Sequence, residues 1–252
     1  MTYNKTELAQ GLSLPQYPRA AQYDPDWVLT NLMGPNALWL TEALTQQMKL
    51  QPGMRVLDLG CGKAISSIFL AKEFGVQVWA TDLWIGATEN WERIVAAGVQ
   101  DQVFPIHAEA HTLPFAEGFF DAAVSLDAYQ YFGTDDLYLG YYSKFIRSGG
   151  ELGIISPGVR QEFEVIPDHL APYWGHESWS YHSPQWWQQH WTKGRLVDVT
   201  SAEFLEEGWK EWLDWNLICK RQDYGFYQPD IDMLEIDHGR HLGFTRVVAL
   251  KR

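Results

Sequence analysis

The sequence predicts a doubly wound α/β fold on a mainly parallel sheet, and three observations carry that prediction. Short apolar strands alternate with helical periodicity between residues 54 and 155. A Gly-x-Gly turn, Gly60-Cys61-Gly62, joins the first of those strands to the first helix. Two further strand patterns, at 196–200 and 241–251, bring the expected sheet to seven strands.

The elements follow in order. Residues 1–24 are polar, contain Pro15 and Pro18, and lack strong periodicity, so 1–35 reads as an N-terminal arm. Leu40, Leu44 and Met48 have helical spacing within 36–49, and Pro52-Gly53 stops that helix. A strand at 54–59 precedes a helix at 65–74, which Gly75 closes. A strand at 76–81 follows, then a helix at 88–97 with Trp91, Ile94 and Val95 on one face. Strands at 102–106 and 120–126, a helix at 137–146 and a strand at 151–155 complete the core, 36–155. Residues 156–182 are rich in Pro, Gly, His and aromatics without clear periodicity. Ser183-Pro184 then reads as an N-cap with proline at the first helical position, opening a helix at 185–193. The region 156–195 is therefore expected to be an aromatic-rich lid inserted after the fifth strand. Residues 196–252 are expected to complete the sheet, with a helix at 206–215 between their two strands. On such a sheet, ligands sit beyond the carboxyl ends of the strands where strand order reverses.

Composition narrows the function. The 252 residues carry a formal charge of −13, which repels phosphate backbones and argues against nucleic acid as a partner. No apolar run approaches the roughly 20 residues that span a bilayer, and the N-terminus lacks the apolar core of a signal peptide. Two cysteines, Cys61 and Cys219, are too few for a disulfide framework. A cytoplasmic protein without a membrane partner is expected. The sequence does not set the oligomeric state.

The chemistry concentrates at three strand ends. The run Val56-Leu57-Asp58-Leu59-Gly60-Cys61-Gly62 puts a carboxylate just before the glycine turn. Ile65 stands where a G-x-G-x-x-G run would place its third glycine, which argues against a dinucleotide. A negative Asp58 would repel a pyrophosphate but suits S-adenosylmethionine (SAM), which has no phosphate and carries a sulfonium and an ammonium. Asp82, about 20 residues beyond the glycines, can accept both hydroxyls of a ribose, with Leu83 beside it. After the third strand, Ala108-Glu109-Ala110-His111-Thr112-Leu113-Pro114-Phe115 offers the Glu109 carboxylate to an adenine amine and the Ala110 N–H to a ring nitrogen.

In this order the three signals resemble the class I SAM-dependent methyltransferase superfamily, most closely its small-molecule branch of ubiquinone- and menaquinone-type enzymes. The resemblance covers roughly residues 36–155. It implies a Rossmann-like sheet whose last strand runs antiparallel beside the fifth. It also implies that Asp58, Gly60, Cys61 and Gly62 hold the methionine part, Asp82 and Leu83 the ribose, and Glu109 and Ala110 the adenine. Ala108 and Glu109 stand where the family usually has Gly and Asp, and Ala64 where a glycine is common. S-adenosylhomocysteine (SAH) would be the product.

The methyl acceptor is expected near the end of the fourth strand. Asp127 there either orients the acceptor and takes its proton, or caps the next turn; Tyr129 and Tyr131 are candidates to line the pocket. His182, with His169 and His176, lies in the lid segment and is a candidate general base. The acidic charge and the tryptophans of the C-terminal half favour an amine acceptor over an oxygen or carbon one, although Trp187 and Trp191, four apart, also have ordinary packing spacing. Asp232, Glu235, Asp237, His238 and His241 gather acid and imidazole late in the chain, but their spacing matches no standard zinc pattern, so no metal is expected. A non-catalytic SAM-binding module and an NAD-dependent oxidoreductase are the alternatives.

Overall fold

The computed structural model describes residues 2–252; Met1, the first residue of the expected arm, lies outside the described residues. Seven strands form one sheet: β1 (Arg55–Leu59), β2 (Gln77–Asp82), β3 (Val103–His107), β4 (Phe120–Leu126), β5 (Ile146–Val159), β6 (Val197–Leu205) and β7 (Leu242–Lys251). Their order is β3-β2-β1-β4-β5-β7-β6, with β7 antiparallel to both neighbours and the other pairs parallel. Strand order reverses between β1 and β4, which opens a crevice at their carboxyl ends. The sheet has the doubly wound, Rossmann-like arrangement expected, including the antiparallel last strand.

Alternation along each strand divides the core. Val56 of β1 joins a cluster with Ile68, Phe69, Trp212 and Trp215, while its neighbour Leu57 faces a second cluster with Tyr129, Tyr142, Trp187 and Trp191. Helices α3 (Ala37–Thr45), α4 (Ile65–Phe74) and α5 (Ala87–Ala96) supply residues to the first cluster. The short α6 (Tyr138–Tyr142) and α7 (Pro184–Lys193) supply the second. Ser183 caps α7 by accepting from the Trp186 N–H. Among the described residues no helix is long and apolar enough to cross a membrane, and both cysteines are free and buried.

Three segments differ from the sequence expectation. The arm folds into α1 (Lys5–Leu12) and α2 (Pro25–Thr30). A capping box starts α1, in which the Asn4 side chain accepts from the Glu7 N–H and the Glu7 side chain from the Asn4 N–H. Leu8 and Leu12 are buried in the core. The fifth strand runs from Ile146 rather than from 151. Ser148-Gly149-Gly150 sits within it as an irregularity, where the pairing steps from Phe120↔Ile146 to Ala122↔Glu151. Past Ile155 only β7 flanks β5, so one side has no ladder to complete and Pro157 is tolerated. Finally, α8 (Gly208–Arg221) is longer than expected, and α9 (Gln228–Asp237) forms where only an acidic cluster was noted. Ile231 and Leu234 bury the inner face of α9.

Candidate functional site

A cavity of about 390 Å³ opens where the strand order reverses. The turn after β1 forms its floor. Gly60 has φ +76°, and a Cβ there would stand 2.3 Å from the Ala128 Cβ, so only glycine lets the β1 and β4 loops meet this closely. Ala64 also has a left-handed backbone (φ +59°), the conformation a glycine would adopt freely.

Asp82, last residue of β2, organises the floor. Its Oδ2 accepts from the Gly62 N–H at 2.8 Å, and its Oδ1 from the Trp84 and Ile85 N–H groups at 2.8 and 2.9 Å. The side chain thus ties the glycine turn to the loop after β2, while the residue still lines the cavity. Gly60, Cys61, Gly62, Leu83, Glu109, Ala110 and Asp127 line it as well. Glu109 sits on the rim, where its carboxylate accepts from the His111 N–H and pairs with His111 Nδ1. The His111 hydrogen bond holds that carboxyl below its ordinary range.

Three expected site residues lie elsewhere. Asp58 is fully buried beneath the turn and does not line the cavity. Its Oδ2 accepts from Ser66 Oγ and Ser67 Oγ at 2.6 Å each, clamping the first turn of α4 to β1. Oδ1 has no partner. Burial pushes this carboxyl up to about 6, with the two serines opposing the shift. The repulsion of a pyrophosphate expected from Asp58 is therefore weakened, and Asp82 is the carboxylate that faces the ligand space. Tyr129 points into the second core cluster, between Tyr138, Tyr142, Trp187 and Trp191, because its short 3₁₀ turn directs it under the sheet. His182 stacks on Trp186 with ring centroids 3.6 Å apart and turns Nδ1 to Glu162 at 3.1 Å, outside the cavity lining.

Asp127 does reach the cavity. It follows β4 with φ +50°, and its Oδ1 accepts from Gln130 Nε2 at 3.1 Å. Burial raises its carboxyl to about 7; Gln130 opposes this, and the carboxylates of Asp230 and Glu177 add to it. Burial, followed by Glu177, likewise raises Asp230 to about 6. Tyr131, Phe132 and Trp215 give this end of the cavity aromatic walls.

The sequence reading missed the roof. Asn31, Leu32, Met33, Gly34 and Pro35, at the end of the presumed arm, all line the cavity. Trp215 Nε1 donates to the Gly34 carbonyl at 2.9 Å, and Arg93 Nε donates to Asn31 Oδ1 at 3.2 Å. The only local signal was the Gly34-Pro35-Asn36 break before α3, which marks a turn and not what it covers.

Comparison with known proteins agrees with this geometry. Residues 56–150 match the family described as Methyltransferase domain. A demethylmenaquinone methyltransferase of Mycobacterium marinum is 35% identical over 106 residues, 41% of this chain and 40% of the relative. The methyltransferase GfsG of Streptomyces halstedii is 28% identical over 128 residues, 50% of this chain and 46% of the relative. The chain thus spans less than half the length of these curated relatives. Among solved structures, geranyl diphosphate methyltransferase in complex with SAM superposes with a TM-score of 0.67 at 19% identity, covering 86% of this chain and 84% of that one. Phosphoethanolamine N-methyltransferase 2 of Haemonchus contortus gives 0.71 at 19% identity, covering 97% of this chain and 60% of that one. Over residues 56–150, domain match, sheet order and glycine turn together make this part of the chain similar to the methyltransferase domains of class I SAM-dependent enzymes.

Proposed function

We propose that the protein transfers a methyl group from SAM to a small-molecule acceptor, with an amine nitrogen favoured over oxygen or carbon. The observation that carries the cofactor half is the Asp82–Gly62 hydrogen bond at the reversal point of the sheet. The residues suit a phosphate-free nucleoside. Carboxyl groups of Asp82, Glu109 and Asp127 line a cavity of about 390 Å³, and among the described residues Lys63 is its only lysine or arginine. A cationic sulfonium gains from that balance, while a pyrophosphate would meet three carboxyl groups and one ammonium. The solved neighbours support the same cofactor, since geranyl diphosphate methyltransferase is described in complex with SAM.

SAM supplies an electrophilic methyl, whose S–C bond breaks as the acceptor's bond to carbon forms. The residues of this chain do the rest. Gly60, Gly62 and Asp82 shape the floor, and the 31–35 roof with Trp215 excludes water. Asp127, titrating near neutrality, receives the proton that an ammonium must lose before its nitrogen can attack. The fields of Asp230 and Glu177 converge on the same end, and Tyr131, Phe132 and Trp215 line it with aromatic rings that suit a cation. This convergence supports an amine. Among the neighbours, an N-methyltransferase of phosphoethanolamine and a methyltransferase of geranyl diphosphate are both represented.

Two measurements test the proposal. Calorimetry should give saturable binding of SAM and SAH and none of NAD; uptake of NAD alone defeats the cofactor assignment. Labelled methyl transfer into a panel of amines, phenols and quinones should mark amines. Label in phenols or quinones alone removes the amine preference, and SAM binding without transfer to any extract leaves a binding module.

A further inference from the structure

Away from the methyl-transfer cavity, one cluster brings together two imidazoles and a carboxylate. His169 Nε2 and His241 Nδ1 both face Asp237 Oδ1, at 3.0 and 2.8 Å, and the three potential ligand atoms lie within 4.8 Å of one another. We propose that His169, Asp237 and His241 bind a divalent cation of the zinc type, which clips the segment between β5 and α7 to the turn between α9 and β7.

The geometry fits such an ion. Ligands about 2.1 Å from a metal stand roughly 3.0 Å apart on an octahedral edge and roughly 3.4 Å on a tetrahedral one. The two separations from Asp237 Oδ1, 3.0 and 2.8 Å, lie within about 0.2 Å of the octahedral edge. The ligand set is two neutral imidazoles and one carboxylate, which suits zinc and its borderline neighbours better than the harder calcium or magnesium.

Asp237 is built as an anchor. It is fully buried, and its Oδ2 accepts from the His241 and Leu242 N–H groups at 2.9 Å each, so Oδ1 is aimed at the two rings by the fold. The turn that returns the chain beneath Asp237 is made by His238 (φ +50°) and Gly239 (φ +68°). Of the cations nearby, Arg160 is engaged with both oxygens of Glu206 at 2.8 Å, and Arg240 donates its Nε to the Asp237 carbonyl at 2.9 Å and its Nη2 to the Ile236 carbonyl at 2.6 Å. His241 and His169 keep 33% and 21% of their side chains exposed, so an ion can enter and water can complete its shell. On binding, each ring turns the lone pair of its facing nitrogen to the metal and carries its proton on the opposite nitrogen.

The spacing of the late acidic cluster could not reveal this set. His169 comes from 68 residues upstream of Asp237, and Asp232, Glu235 and His238 take no part. None of the three ligands lines the cavity, so the ion's role is a structural cross-link.

The test uses the full chain stripped with EDTA. Titration with zinc chloride in a calorimeter should give one site with Kd below about 100 µM, and the zinc-loaded protein should melt at a higher temperature than the EDTA-treated one. The variants H169Q and H241Q, checked for folding by circular dichroism, should each weaken binding at least about 10-fold, while H176Q at an exposed histidine leaves it unchanged. Cobalt loading should give a visible absorption band that both cluster variants lose. Binding weaker than about 100 µM, or binding that neither cluster variant moves, overturns the site and leaves a hydrogen-bonded His–Asp–His cluster. Neither result bears on methyl transfer.

Discussion

Asp82 at the end of β2 accepts a 2.8 Å hydrogen bond from the backbone N–H of Gly62 in the turn after β1. The cavity floor is therefore two neighbouring strand ends locked together by one carboxylate, which also holds the Trp84 and Ile85 N–H groups. Removing it with D82A leaves three backbone donors without their acceptor. The variant should lose about 1–3 kcal/mol of stability in a urea melt and bind SAM at least about 10-fold more weakly in calorimetry. D82N keeps one acceptor oxygen and should fall between the two. Unchanged SAM affinity in D82A would remove Asp82 from the site.

Gly34 in the roof presses against Asp127 in the floor. With φ +72°, a Cβ at position 34 would stand 2.5 Å from Asp127 Oδ2. G34A must either strain the backbone or push the carboxylate aside, at about 1–2 kcal/mol. The displaced group is the one proposed to meet the acceptor, so the acceptor KM should rise more than the Kd for SAM. Equal changes in both would mean that the roof, and not Asp127, had moved.

The pH dependence of Asp127 has a definite sign. Its carboxyl titrates at about 7 in the folded chain, against about 3.9 in an unfolded one. The folded state binds the proton more tightly, so this group's contribution to stability is full below about pH 4 and declines as pH rises to about 7. Asparagine at 127 cannot titrate. The stability of D127N relative to the parent should therefore increase between pH 4 and pH 8, by about 1–2 kcal/mol once screening by cavity water is allowed for. Urea melts at several pH values give the difference directly. Methyl transfer by D127N should be at least about 100-fold slower and lose its inflection near neutrality. A flat stability difference would mean that the carboxylate is solvated.

How far the fold could be read from the chain depended on how local each signal was. The strands and helices between 54 and 126 follow from period-2 and period-3.6 patterns bounded by glycine, and α4 and β4 start and end where those patterns do. The start of β5 is not legible, because Ser148-Gly149-Gly150 looks like a turn and is an irregularity between the Phe120↔Ile146 and Ala122↔Glu151 pairs with β4, which only a tertiary neighbour determines. The site divides in the same way. Asp82 and the glycines sit at strand ends, and topology fixes what faces the crevice there. Asp58 lies one layer below the cavity, because a strand's alternation says which face a side chain takes and not that Ser66 and Ser67 cover it. The 31–35 roof had no local signature, since its role comes from Trp215 and Arg93 far along the chain.

The tryptophans separate into two kinds, and substitutions should separate them too. Trp187 and Trp191 are wholly buried on the inner face of α7, where they pack against Tyr129. Truncating either opens a large cavity in the second core cluster, and W187A and W191A should each cost about 3–5 kcal/mol. Trp84 is 73% exposed and lines the ligand cavity beside Leu83. Its side chain has little to lose on folding and a face to offer a bound nucleoside, so W84A should leave stability within about 0.5 kcal/mol of the parent. The same variant should weaken SAM binding several-fold, because a stacking surface is lost while the Asp82 contacts stay. Thermal melts and calorimetry on the three variants distinguish the roles. If W84A is as destabilising as W191A, the loop after β2 is part of the core; if it is silent in both assays, the cofactor lies deeper, against Cys61 and Asp82.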